Sequence, residues 1–143
     1  MSEPDISILK NITGQFELNI GDPNGYSPLS LAFIGDSVFD VVVKTVVVGR
    51  GNAPVKVLHK RASDIVKASA QADMLDLIYE ELTEEEQNIY RRGRNSKPYT
   101  KAKNASYGAY LKATGFEALI GYLYLNGRTE RLVKLIKLGM DAI

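Results

Sequence analysis

The chain has 143 residues, 45% hydrophobic and 24% charged, with no cysteine, one histidine and a formal net charge of +1. That length suits one domain with a full core; the missing cysteines exclude disulfides and thiolate metal centres, and one histidine excludes His-rich zinc sites and speaks against a histidine-based triad. No long apolar run lacks a charge and the N-terminus carries no signal-peptide pattern, so the expectation is a cytoplasmic protein with no membrane partner.

Residues 1–25 read as an N-terminal arm and 26–143 as the domain. In the arm, Phe16, Leu18 and Ile20 alternate with polar residues and residues 21–25 form a Gly-Asp-Pro-Asn-Gly turn cluster; nothing there suggests chemistry. Ser27 before Pro28 signals a helix start, because serine caps and proline suits the first helical position. The helix that follows, from Tyr26 to Val48, is apolar on nearly every side, which predicts burial. Asp36 nevertheless sits in its middle, next to Gly35. A buried carboxylate without a partner costs several kcal/mol or takes up a proton. Asp36 therefore requires a cation, a donor or an opening to a cleft; the ordinary alternative is an aspartate that simply reaches solvent.

Gly49, Gly51 and Asn52 stop that helix and Pro54 restarts the chain. Residues 54–82 read as a short helix followed by a longer one, with Val55, Leu58, Ile65, Met74, Leu75 and Ile78 among the apolar positions. His59 and the neighbouring bases Lys56, Lys60, Arg61 and Lys67 fall on polar faces or form a second phosphate-contacting surface. Thr83 and Glu86 form a capping box that opens the next helix, which ends near Gly93. Consecutive acids do not share a helix face, so the acids of that first turn serve the helix dipole rather than a metal. From Arg94 to Lys103 the chain reads as a basic loop, and Asn104 is placed to cap a second all-round apolar helix that ends at Asn126-Gly127. Residues 128–142 form a last amphipathic helix. No stretch alternates strongly enough to require a sheet, so the expected fold is all-α with about six helices.

The second apolar helix also carries one acid, Glu117, with Gly121 a turn beyond it. Mid-helix glycine costs about 1 kcal/mol relative to alanine, so glycines beside each lone acid suggest two backbones brought close. Facing carboxylates repel unless a cation lies between them, and Mg²⁺ suits that place because it takes one or two carboxylates and keeps waters for a phosphate-bearing substrate. The charge is also unevenly spread. Acids and no bases run from Asp73 to Glu86, whereas Arg91, Arg92, Arg94, Lys97, Lys101, Lys103 and Lys112 follow with no acid before Glu117. A concentrated basic segment is what a phosphate backbone requires, and net charge hides it.

The stretches Leu31-Ala-Phe-Ile-Gly-Asp-Ser-Val-Phe39 and Phe116-Glu-Ala-Leu-Ile-Gly121, with Arg92-Gly-Arg-Asn-Ser-Lys97 between them, resemble the motifs of ribonuclease III catalytic domains. The likeness covers residues 27–138 and is strongest to the Mini-III branch, which consists of the catalytic domain alone. It implies an endoribonuclease for double-stranded RNA, with Asp36 and Glu117 as catalytic residues and Mg²⁺ ligands and products bearing 5′ phosphates and 3′ hydroxyls. It implies RNA contacts from Arg92, Arg94, Asn95, Lys97, Lys101 and Lys103, and a homodimer into which Phe33 inserts. It also implies 23S ribosomal RNA precursor as substrate and allows a ribosomal protein as its presenter, since no double-stranded-RNA-binding domain is expected after the last helix. Two of the four family acids are replaced, by Ala32 one turn before Asp36 and by Thr114 three residues before Glu117. That replacement favours the competing reading, a non-catalytic RNA-binding module on a degenerate ribonuclease III fold. A third, an all-α nucleotide pyrophosphohydrolase, rests only on the thin pairing of Asp36 with Asp40.

Overall fold

A computed structural model describes residues 7–96 and 106–143. The predicted cap Asn104 and the bases Lys97, Lys101 and Lys103 lie outside the described residues. The described residues form seven α-helices and no strand: α1 (Ile8–Gln15), α2 (Pro28–Gly49), α3 (Val55–Val66), α4 (Ala68–Ile78), α5 (Glu84–Arg94), α6 (Tyr107–Leu125) and α7 (Thr129–Ala142). The all-α expectation holds, with one helix more than expected.

The predicted start of α2 is built as read: Ser27 Oγ accepts from the Ser30 N–H, and Pro28 occupies the first turn. At the start of α5 both halves of the capping box form, with Glu86 Oε1 accepting from the Thr83 N–H at 2.9 Å and Thr83 Oγ1 accepting from the Glu86 N–H at 3.1 Å. α6 ends at Leu125 with Asn126 as its cap, and Gly127 follows at φ 72°, a conformation that favours glycine.

α6 is the axis of the molecule. Ala113–Phe116 and Ala118–Leu123 are all buried, and α2, α4, α5 and α7 pack around it, α2 most extensively. Glycines set how closely these helices approach. A Cβ on Gly35 would stand 1.8 Å from the Glu117 carbonyl oxygen, and one on Gly121 would stand 2.0 Å from that of Leu31. The two mid-helix glycines thus let α2 and α6 meet backbone to backbone, as their placement in the sequence suggests. Gly93 and Gly115 do the same for α5 and α6, a Cβ on Gly93 falling 2.7 Å from the Ala118 side chain. Phe39 and Phe116, both fully buried, meet edge to face at 5.7 Å in the core between α2 and α6.

Two local expectations are corrected, and the arm adds an element that the sequence left unread. That element is the helix α1, capped by Ser7 and without a buried residue; the alternation of Phe16, Leu18 and Ile20 lies beyond its end. α3 and α4 are nearly equal, at 12 and 11 residues, because the chain breaks at the extended Lys67, which no glycine or proline marks. Arg94 is not in a loop: it is the last residue of α5, with Asn95 as the cap, because the helix continues past Gly93 where that glycine packs on α6.

Candidate active site

The close approach of α2 and α6 decides where the acids go. Asp36 follows Gly35 on α2 and Glu117 lies four residues before Gly121 on α6, so both carboxylates stand at the edge of the same backbone contact. They line one cleft of about 570 Å³, together with Ala32, Phe33, Gln71 and Thr114. Asp36 is exposed, but the solvent it reaches is this cleft, which the second acid faces. The two acids singled out in the sequence thus line one cleft, and Asp36 is less buried than its apolar helix suggested.

Glu117 is the more buried member, partly covered where Asp36 is exposed. Burial pushes its carboxyl up to about 7 from 4.5, the Gln71 amide opposes the rise, and the Asp36 carboxyl beside it adds to it by charge and by a hydrogen bond. A carboxyl whose ionisation is disfavoured by burial and by a neighbouring acid is one that a dication between the two would stabilise.

Gln71 was not singled out in the sequence. It is 2% exposed and donates from Nε2 to Glu117 Oε2 at 3.0 Å and to the Val66 carbonyl at 2.8 Å. The only sequence signal was a lone amide among the alanines of residues 68–72.

The positions at which ribonuclease III carries further acids also line the cleft, as Ala32 and Thr114. Alanine offers no ligand, and the Thr114 hydroxyl already donates to the Tyr110 carbonyl at 3.0 Å. Among the described residues no group of three or more histidine, cysteine or acidic side chains is placed to hold a metal. What remains is a two-carboxylate, all-oxygen donor set, which fits a hard cation that keeps much of its own water, as Mg²⁺ does.

The described bases of the basic segment do not line this cleft. Arg92 and Asn95 line a separate hollow at the end of α5 with Asn88 and Arg91, and Arg92 is exposed. Arg94 lies over the Tyr90 ring at 5.6 Å and donates from Nε to Asn95 Oδ1 at 3.2 Å. Lys112 is paired with Asp76 at 2.9 Å, so not every base of the segment is free for a ligand. Phe33 is 81% exposed at the rim of the acid cleft and so is not part of the core of this chain.

A family model, that of the Ribonuclease III domain, matches residues 29–128. A protein of Thermoanaerobacter sp. named Mini-ribonuclease 3 is 50% identical over 117 residues, 82% of each chain. A Mini-ribonuclease 3 of Symbiobacterium thermophilum is 40% identical over 126 residues, 88% of this chain and 97% of that one. A crystal structure of a Fusobacterium nucleatum protein superposes with a TM-score of 0.74 at 28% identity, covering 85% of this chain and 97% of that one.

Proposed function

Because the chain belongs to the ribonuclease III family, we propose that it is an endoribonuclease that cuts double-stranded RNA with Mg²⁺ held between Asp36 and Glu117. The observation that carries the reading is the single cleft into which two otherwise unrelated helices each deliver one acid. Bound there, Mg²⁺ would lower the pKa of water to make a nucleophile and stabilise the leaving 3′ oxygen. The chain's own part is to hold two carboxylates at a fixed spacing, set by the glycine contact of α2 and α6, and to keep Glu117 available as an anion through the Gln71 amide. Products with 5′ phosphates and 3′ hydroxyls follow from in-line attack with departure of the 3′ oxygen.

Double-stranded RNA is recognised mostly through phosphates and 2′ hydroxyls. Arg92, Arg94 and Asn95, gathered at the end of α5, supply that chemistry, and Lys97, Lys101 and Lys103 continue the basic run in sequence. The exposed Phe33 beside the acids supports a homodimer. The family branch supports precursor 23S ribosomal RNA as substrate, presented with the help of a ribosomal protein, and a cytoplasmic setting. Incubation with duplex RNA and, separately, with nucleoside triphosphates, each with and without Mg²⁺, tests the reading. Mg²⁺-dependent scission of the duplex alone is expected. Hydrolysis of the triphosphates alone, or binding of duplex without scission, overturns it.

A further inference from the structure

Gln71 lies at the start of α4, just past the break at Lys67, and its side chain spans that break. Nε2 donates both to the Val66 carbonyl, on the last residue of α3, and to Glu117 Oε2. Both partners are acceptors, so the nitrogen rather than the carbonyl oxygen of the amide must face them. A flipped amide would set Oε1 against a carbonyl and a carboxylate. The orientation is thus fixed by the backbone at one end and delivered to the acid at the other. Burial to 2% exposure holds the side chain in that place.

Resting on the metal-site reading above, we propose that Gln71 is a positioning residue that makes Glu117 a one-oxygen ligand and so selects small divalent cations over Ca²⁺. With one lone pair of Oε2 taken by the amide, Oε1 is the oxygen of Glu117 more open to a cation. Mg²⁺ demands near-ideal octahedral geometry at short distances and is held by single carboxylate oxygens, whereas Ca²⁺ readily takes both oxygens of a carboxylate in a looser shell. A carboxylate pinned at one oxygen suits the first and handicaps the second. If Gln71 served only to join α3 to α4, it would alter stability and leave the preference between ions untouched.

The test is calorimetric titration of the metal-stripped full chain with Mg²⁺ and with Ca²⁺, for wild type, Gln71→Met and Gln71→Leu, with thermal melts in chelator to confirm folding. Both variants lack the donor but differ in shape, so an effect of packing differs between them and an effect of the donor is common to both. Loss of a group that orients a ligand typically costs 10–100-fold in metal affinity. The Mg²⁺ affinity is expected to fall about tenfold or more in both variants, with Ca²⁺ affinity nearly unchanged or raised, so that the preference for Mg²⁺ drops by about the same factor. An unchanged Mg²⁺ to Ca²⁺ ratio in either folded variant overturns this role for Gln71 and leaves the metal site standing. Failure of wild type to bind Mg²⁺, or full Mg²⁺ affinity in Glu117→Gln, overturns the two-carboxylate site itself and this role with it.

Discussion

At the scale of single residues, the two acids divide the cleft unequally, and the inequality is measurable. Asp36 reaches the cleft opening, whereas Glu117 is partly buried, and burial with the neighbouring charge raises its pKa from 4.5 to about 7. A carboxyl whose folded pKa lies above its unfolded value favours the native state when protonated. Its contribution is complete below pH 4.5 and lost as pH rises through about 7. The metal-free protein should therefore lose up to about 3 kcal/mol of stability between mildly acidic and mildly alkaline pH. Glu117→Gln should flatten that dependence, because an amide keeps the shape without the ionisation. The same variant, like Asp36→Asn, should lower cleavage of duplex RNA by about a thousandfold or more, since the electrostatic help of a correctly held cation is worth several kcal/mol. Denaturant titrations from pH 4 to 9 and single-turnover cleavage in Mg²⁺ are the measurements. A cleavage rate near wild type would show that the pair is not the site.

At the scale of elements, the acids are only as well placed as the contact beneath them. A Cβ on Gly121 would stand 2.0 Å from the Leu31 carbonyl oxygen, and backbone cannot swing aside as a side chain can. Gly121→Ala should cost about 3 kcal/mol, the upper part of the range for overpacking a core. It should also weaken Mg²⁺ binding in whatever fraction still folds, because α2 and α6 must part. A lost fold at room temperature agrees with this account, and a neutral substitution refutes it. A second joint ties α5 to α7. Glu86 is 2% exposed and takes two hydrogen bonds from Arg131, each 2.8 Å. Arg131→Met should destabilise by about 3–5 kcal/mol, because it leaves a buried charge without its partner; equilibrium unfolding reads this directly.

These two joints also show what the sequence could and could not reveal. Gly35 and Gly121 were legible because a helical glycine beside a lone acid has a local cost that demands a reason. Glu86 was legible as a cap, since its partner Thr83 is three residues away. Its pairing with Arg131, 45 residues on, was not, because no periodicity joins α5 to α7. Gln71 was illegible for the same reason: its meaning lies in α6 and at the end of α3. The short α1 escaped because it is only eight residues long, and Ile8, Leu9 and Ile12 are too few to establish a helical period.

At the scale of the whole molecule, charge and apolar surface point to two different partners. Arg92 is exposed at the end of α5, and on the proposed function it meets a phosphate of the duplex. Each such contact releases a condensed counterion, so Arg92→Ala should weaken duplex binding alike for different sequences and flatten the salt slope by about one unit. Binding over a salt series, in Ca²⁺ if that ion supports binding without cleavage, checks it; an unchanged slope and affinity would remove the residue from the interface. Exposed apolar side chains lie on α2, some of them beside the acids. Phe33 is 81% and Val41 64% exposed on α2, and a largely apolar hollow between α1, α2 and α7 includes Val41 and Val133. Contiguous exposed apolar side chains commonly mark interaction surfaces, and these residues support the proposed homodimer. In a two-fold dimer the same substitution strikes both halves of the interface. Burial of one phenylalanine is worth about 1.5–3 kcal/mol, so Phe33→Ala should weaken association by roughly two to four orders of magnitude. Wild type should sediment as a dimer at micromolar concentration and the variant as a monomer with its helical signal intact. Activity should fall with the dimer, because Phe33 borders the cleft that holds Asp36 and Glu117. A wild-type chain that sediments as a fully active monomer would leave this face without a second copy to cover it.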